Sequence, residues 1–242
     1  MRTATFLLTL TLACSAFGGE IFIPATYRGE GGHGSVWRTE ISVANVSSLT
    51  PHPVPVTITL YVDSATSVSI ETPLAQNETL AVKDALRDWF DVESGGGIVR
   101  VTWDDANARI SANARIYNVG SGGEFGQGVP AVRLDRLVSD QFLHGLSGIN
   151  GNRTNIGISN PHNYAALVWV TLYDTSGLSR GSYSTMLEPR SYKQINDIFS
   201  QFNAGPLDAA MVRITSTNSS IYAYASVVRN DTGDATYIAP AD

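Results

Sequence analysis

Polar and apolar residues alternate from Arg38 to Asn45. Thr39, Ile41, Val43 and Asn45 fall on one face, and Arg38, Glu40, Ser42 and Ala44 on the other. A two-residue period belongs to a half-buried β-strand. Val54, Val56, Ile58, Leu60 and Val62 continue the pattern, with Pro55 among the residues opposite. Proline gives no N–H to a ladder, so this strand lies at an edge or begins there. Residues 98–103 and 110–118 extend the series. Twice the spacing turns helical: at Val82, Leu86, Trp89 and Phe90, with Gly95-Gly96-Gly97 beyond, and at Ile195, Ile198, Phe199 and Phe202, ahead of Gly205-Pro206. Each predicts a short helix covering one end of a sheet. Asp84, Asp88 and Asp91 along the first read as its solvated face.

The pattern also repeats at long range. Arg38-Thr39-x-Ile41-x-Val43-x-Asn45 returns as Arg153-Thr154-x-Ile156-x-Ile158-x-Asn160, 115 residues later. Thr59-Leu60-Tyr61 matches Thr171-Leu172-Tyr173, Val99 to Thr102 matches Val212 to Thr215, and Ile110-x-Ala112-x-Ala114 matches Ile221-x-Ala223-x-Ala225. The shift drifts to 111, as loop deletions would make it. Ile23-Pro24-Ala25, Val129-Pro130-Ala131 and Ala239-Pro240-Ala241 bracket two copies. A period near 110 residues suits a complete small domain, not a solenoid repeat. The expected organisation is a leader at 1–18, a β-sandwich module at 19–131 and a second at 132–242. The fold class is all-β: two tandem immunoglobulin-like sandwiches from an internal duplication, each of six or seven short strands and one short helix. Asn45 and Asn160 recur at strand ends, where asparagine tolerates a left-handed turn and bonds its own backbone.

Composition narrows the function. The chain holds 16 Lys+Arg against 22 Asp+Glu, a net charge of −6. Removal of Arg2 with the leader leaves 15 against 22, or −7. That acidity fits neither nucleic acid nor an anionic membrane surface. Arg2, the apolar run 6–13 and small residues at 16 and 18 make a secretory signal, too short to span a bilayer. Cys14 is the only cysteine, so the mature fold has no disulfide. Lipidation at Cys14 stays open as a membrane anchor, although Thr11 stands where such signals prefer Leu. The protein is expected at the cell surface, in the periplasm or outside the cell, in a bacterium.

No residue pattern announces catalysis. The histidines, His33, His52, His144 and His162, sit in Gly- or Pro-rich stretches, and none recurs in the other copy. Gly34-Ser35 and Gly145-Leu146-Ser147-Gly148 lack the spacing of a nucleophile elbow. There is no histidine pair at zinc spacing and no phosphate loop between strand and helix. Asp104-Asp105 reads as a turn, and Asp231 with Asp234 lacks the ligand ladder of a calcium loop. Neither an enzyme, a metal nor a cofactor is expected.

Aromatic residues offer more. Trp169 and Tyr173 point away from Val168, Val170 and Leu172, and Tyr222 and Tyr224 point away from Ile221, Ala223 and Ala225. On neighbouring strands the four would form one outer platform, fit to stack a sugar or anchor a protein. Alternatively this face packs on the other module. Arg38 and Arg153 are either structural, bonding a carboxylate or carbonyls across the module junction, or ligand contacts.

Three phrases carry a family resemblance: FIPA with GSVWRT and Asn45 near the start, 117–131 in the middle, and the ending that includes YASVV, TGD and Tyr237. With them the chain resembles a group of secreted bacterial tandem β-sandwich proteins over nearly all its mature length. The resemblance implies the architecture and brings no activity and no catalytic residues. The expected function is a non-catalytic secreted or cell-surface binding or structural module, its partner an extracellular protein or glycan. The alternatives are a carbohydrate-binding module using the aromatic face and a secreted hydrolase.

Overall fold

The computed structural model describes residues 18–31, 35–48, 50–120 and 123–241. Residues 1–17 of the expected leader, with Cys14, and His33 lie outside the described residues. The first unit runs β1 (Gly19–Glu30), β2 (Val36–Asn45), β3 (Val54–Tyr61), β4 (Ser67–Leu74), β5 (Thr79–Val82), α1 (Ala85–Asp88), β6 (Gly95–Trp103), β7 (Ile110–Gly120) and β8 (Gly123–Pro130). After a single 3-10 turn (Leu134–Arg136) come β9 (Asp140–Leu146), β10 (Asn152–Asn160), β11 (Ala166–Tyr173), β12 (Ser179–Leu187) and β13 (Ser191–Ile195). The chain ends with α2 (Ile198–Gln201), β14 (Ala210–Ser216), β15 (Tyr222–Arg229) and β16 (Ala235–Ile238). The fold is all-β, and each unit is an antiparallel sandwich with one single-turn helix.

The strand order is the same in both units. The first places β4-β3-β6-β1 against β5-β2-β7-β8, and the second places β12-β11-β14-β9 against β13-β10-β15-β16. Each repeated phrase therefore lies on an equivalent strand. β1 differs from β9 in being long enough to serve both sheets. It pairs with β6 from Gly19 to Arg28, with a bulge at 24–25, and then with β2 through Gly29 and Glu30. Within each immunoglobulin-like layout the opening strand sits beside β6 or β14, and the seventh beside β2 or β10. In an immunoglobulin domain the first strand pairs with the second.

The alternation explains the cores. Ile41 and Val43 meet Ile58, Leu60, Val99 and Val101, all at most 1% exposed. Ile156 and Ile158 meet Val168, Val170, Leu172, Val212 and Ile214, all fully buried. Val54 and Pro55 pair only with β4, so β3 starts on its edge side as its proline requires. The Gly95–Gly97 run opens β6 rather than following the helix. A side chain at Gly97 would strike the backbone of Tyr61, and one at Gly96 the backbone of Thr26. Each unit has eight strands, more than the six or seven expected, because four- and five-residue edge strands such as β5 and β13 carry too little periodicity to read.

Two expectations need correction. Asp84 is not part of a solvated face: it is 2% exposed, and both carboxylate oxygens accept from Arg28 Nε at 3.1 and 3.2 Å. Asn45 and Asn160 do not adopt positive φ. They are fully buried, and each makes an Asx turn, accepting from the N–H of Ser47 and His162 respectively. Each amide group then ties down the end of an edge strand, Asn45 on Leu74 O at 3.0 Å and Asn160 on Glu188 O at 3.0 Å.

Candidate functional site

The outer face of the β13-β10-β15-β16 sheet docks on the first unit. Four tyrosines make this contact: Tyr192 on β13, Tyr222 and Tyr224 on β15, and Tyr237 on β16. Tyr224 stacks on Tyr237 at 4.9 Å between ring centres and on Tyr192 at 6.5 Å. Their hydroxyls meet in pairs, Tyr192 with Tyr224 at 3.0 Å and Tyr222 with Tyr237 at 2.9 Å. Phe22 of β1 meets Tyr222 edge-on at 6.2 Å. Ser159 Oγ donates to Pro24 O at 2.5 Å, and the Arg190 guanidinium covers the Tyr61 ring at 5.1 Å. Burial disfavours tyrosinate here, pushing the phenols of Tyr192, Tyr222 and Tyr237 up and that of Tyr224 up to about 12.

The four-ring platform expected from the sequence does not exist. β11 and β15 belong to different sheets, because the chain crosses between layers after β12, after β13 and after β14. Tyr222 and Tyr224, 8% and 2% exposed, are buried in the core of the first unit. Trp169 and Tyr173 remain half-buried on the opposite side of the second sandwich, beside Arg213. The two arginines also part company. Arg38 lies 3.7 Å from Asp84 of its own unit, not across the junction. Arg153 lines the boundary between units, its Nη1 donating to Asn230 Oδ1 at 2.5 Å.

Beside the docked tyrosines the units leave a cleft of about 1270 Å³. One wall is the end of the first sandwich. There Trp37, Asn118 and Phe125 form a cross-strand row over β2, β7 and β8, and the next row holds Ile116 and Gln127. The facing wall is the docked sheet. Asn155 pairs with Ser226, and the next row holds Gln194, Gly157 and Tyr224. A side chain at Gly157 would enter the Tyr224 ring, so glycine is what lets that ring lie across β10. Asn196, Asn230 and Asp231 complete the rim.

The polar lining includes six carboxamides: Asn118, Gln127, Asn155, Gln194, Asn196 and Asn230. Tyr192 donates to Gln194 Oε1 at 2.7 Å, and Gln194 Nε2 donates to Asn196 Oδ1 at 2.6 Å. Asn155 Oδ1 accepts from the Asp197 N–H at 3.0 Å, which fixes its orientation beside α2. Gln127 is buried, and its side-chain oxygen has no partner among the described residues. The charged members are Glu30, Arg153 and Asp231. Asp231 pairs with Arg229 at 2.9 Å, and that hydrogen bond holds its carboxyl below the usual range.

The described histidines, His52, His144 and His162, are not among the residues lining the cleft. His162 Nε2 meets Ser220 Oγ at 2.9 Å under a stacked Tyr164, and His52 lies 3.6 Å from Asp105. Among the described residues no three His, Cys, Asp or Glu side chains gather as metal ligands, and no helix is long and apolar enough to cross a membrane.

Of the six residues singled out from the sequence, Tyr224 and Arg153 line the cleft. Trp37 stands one residue before the repeated phrase, and Asn152 stands at the matching place in the second copy, so the duplication does not mark it. Asn118, Gln127 and Gln194 gave no signal, since a lone carboxamide on a strand is ordinary. No family model and no curated protein matches the chain. Solved structures overlap it only loosely. A Pleurotus ostreatus lectin in complex with GalNAc is 14% identical over 94% of this chain and 85% of its own, at a TM-score of 0.16. The infectious bursal disease virus Gt strain is 10% identical over 92% and 71%, at 0.18, and the T13 particle of that virus 11% identical over 90% and 67%, at 0.21. Overlaps at such scores carry no argument about fold or activity.

Proposed function

We propose that this is a non-catalytic, secreted or cell-surface binding protein whose ligand occupies the cleft between the two sandwiches. The observation that carries the reading is the cleft's lining. Carboxamides neither gain nor lose a proton near neutral pH, so they hold a ligand without moving protons. The phenols of Tyr192 and Tyr224 are pushed away from neutrality, the opposite of what a general acid or base requires. Secretion is supported by the leader pattern at 1–18.

The test fills the cleft. Ser226 is 6% exposed between Asn155 and the rim, so Ser226→Trp places a large ring in the space. Wild type and variant are compared for retention of polysaccharide, protein and lipid fractions, and retained material is checked for chain shortening. Retention lost in Ser226→Trp, with the material intact, is the expected result. Equal retention by the variant rejects the cleft, and shortened chains reject the non-catalytic reading.

A further inference from the structure

Resting on the cleft as the binding site, we infer that its ligand is a neutral oligosaccharide. The first argument is the Trp37–Asn118–Phe125 row. Cross-strand neighbours stand about 5 Å apart. The Asn118 amide, 2% exposed, is used within the protein, its Nδ2 donating to Gly233 O at 3.4 Å, so what the row brings to the cleft is the half-buried Trp37 and Phe125 rings. A sugar ring suits such rings with the C–H groups of its face, and leaves the hydroxyls of its rim for the polar groups nearby. Stacking of this kind uses the apolar body of an aromatic side chain, as tyrosine and tryptophan do at other wet interfaces.

The second argument is what the opposite wall leaves unpaired. Asn155 and Asn230 each use the side-chain oxygen within the protein, on Asp197 N and Arg153 Nη1. Among the described residues their amide N–H groups have no partner. On the first wall the buried Gln127 Oε1 is an acceptor in the same state. Hydroxyls satisfy both kinds of group, whereas a phosphate or carboxylate would need donors alone.

The third argument is charge. One arginine, already bonded to Asn230, stands with Glu30 and with Asp231, itself paired to Arg229, so the lining carries no excess of positive charge to hold a polyanion. Size then separates a chain from a single sugar. At about 1270 Å³ the cleft exceeds the roughly 300–1,000 Å³ of a site for one compact small molecule.

The experiment is a calorimetric and Trp-fluorescence titration of the full protein. The probes are di-, tetra- and hexasaccharides of glucose, xylose, mannose and N-acetylglucosamine, a galacturonate hexamer, and an extended polar peptide. At least one neutral hexamer is expected to bind at least tenfold tighter than its dimer and tenfold tighter than the galacturonate. Trp37→Ala is expected to weaken it at least tenfold. Trp37 also packs on the first core, so the surface pair Gln194→Ala with Asn196→Ala provides a second reading, expected to weaken binding at least threefold without unfolding. If the peptide or galacturonate binds in place of every neutral sugar and Ser226→Trp abolishes that binding, the sugar class is overturned and the cleft stands. If a sugar binds equally well to all these variants but is lost on Trp169→Ala, the cleft itself is wrong. Failure of every probe to bind overturns the sugar assignment.

Discussion

Tyr224→Asn isolates the contact between the sandwiches. The first unit carries Asn113 at the equivalent point of β7, opposite Ser42 as Tyr224 stands opposite Gly157. The substitution therefore gives the second unit a side chain that its own fold accommodates in duplicate. Its inner core of Ile156, Ile158, Ala223 and Ala225 lies on the other face of the sheet. What is lost is a ring 2% exposed, stacked on Tyr237 and Tyr192 and packed into the first unit's core. Truncating a buried aromatic costs about 3–5 kcal/mol, of which ring pairing supplies about 0.5–1.5. We expect a loss of about 3 kcal/mol, falling on the first unit and on the coupling. In urea, followed by Trp fluorescence and by far-UV circular dichroism, a shared transition would separate into two, with the second unit's midpoint little changed. Asn113→Ala, at an exposed position, should move stability by no more than about 0.5 kcal/mol. A Tyr224→Asn protein that unfolds in one transition within about 1 kcal/mol of wild type would refute the claim that these rings hold the units together.

Three further outcomes follow from named contacts. Tyr224 has its phenol raised to about 12 in the folded protein, against about 10 unfolded, so its contribution is complete below pH 10 and disappears as pH rises from 10 to 12, by about 3 kcal/mol in all; denaturation midpoints measured between pH 8 and 12 should stay flat and then fall over that window, with the buried tyrosines ionising at 295 nm as the fold opens. Asn45→Ala and Asn160→Ala should each cost about 1–3 kcal/mol, because each unties a carbonyl that ends an edge strand, the buried Leu74 O of β4 or the part-buried Glu188 O just beyond β12, and the former should cost the more; chemical denaturation of both variants tests whether duplicated residues do duplicated work. Arg28→Met leaves the buried Asp84 only the longer contacts to Arg38 at 3.7 Å and Arg87 at 3.8 Å and should cost about 1.5–3 kcal/mol, whereas adding Asp84→Leu should recover most of that loss in a double-mutant cycle.

The core strands were legible because one face of each is dry. Ile41, Val43, Ile156 and Ile158 had to alternate with polar residues in any sandwich, whatever the strand order. Edge strands such as β12 were not, since with exposed neighbours little constrains their pattern. The aromatic face was half legible. Tyr222 and Tyr224 stood out as outward rings, but which sheet they share depends on where the chain crosses between layers, and nothing local to Trp169 or Tyr222 encodes that crossing. Tyr192 and Tyr237 complete the cluster from 32 residues before Tyr224 and 13 after it, on strands too short to be read. The cleft is harder still, because its two walls come from copies joined only through docking.

The duplication accounts for why a cleft exists at all. Two identical sandwiches would present equally polar outer faces and would not adhere. At the four positions where the second unit carries Tyr192, Tyr222, Tyr224 and Tyr237, the register gives the first unit Thr79, Ser111, Asn113 and Gly128. The change is thus confined to the outward positions of one copy's sheet, and those are the residues that touch the other copy. Tyr192 and Tyr222 lie in the Ser159 row of that sheet, Tyr224 in the Gly157 row and Tyr237 in the Asn155 row, and beyond them Asn118 Nδ2 donates to Gly233 O at 3.4 Å beside the Trp37 row. Contacts that fasten the units therefore also line the gap between them. Ligand binding and inter-unit stability should then be coupled: a ligand gripping both walls must raise the transition that Tyr224→Asn lowers, and must do so in proportion to ln(1 + [L]/Kd).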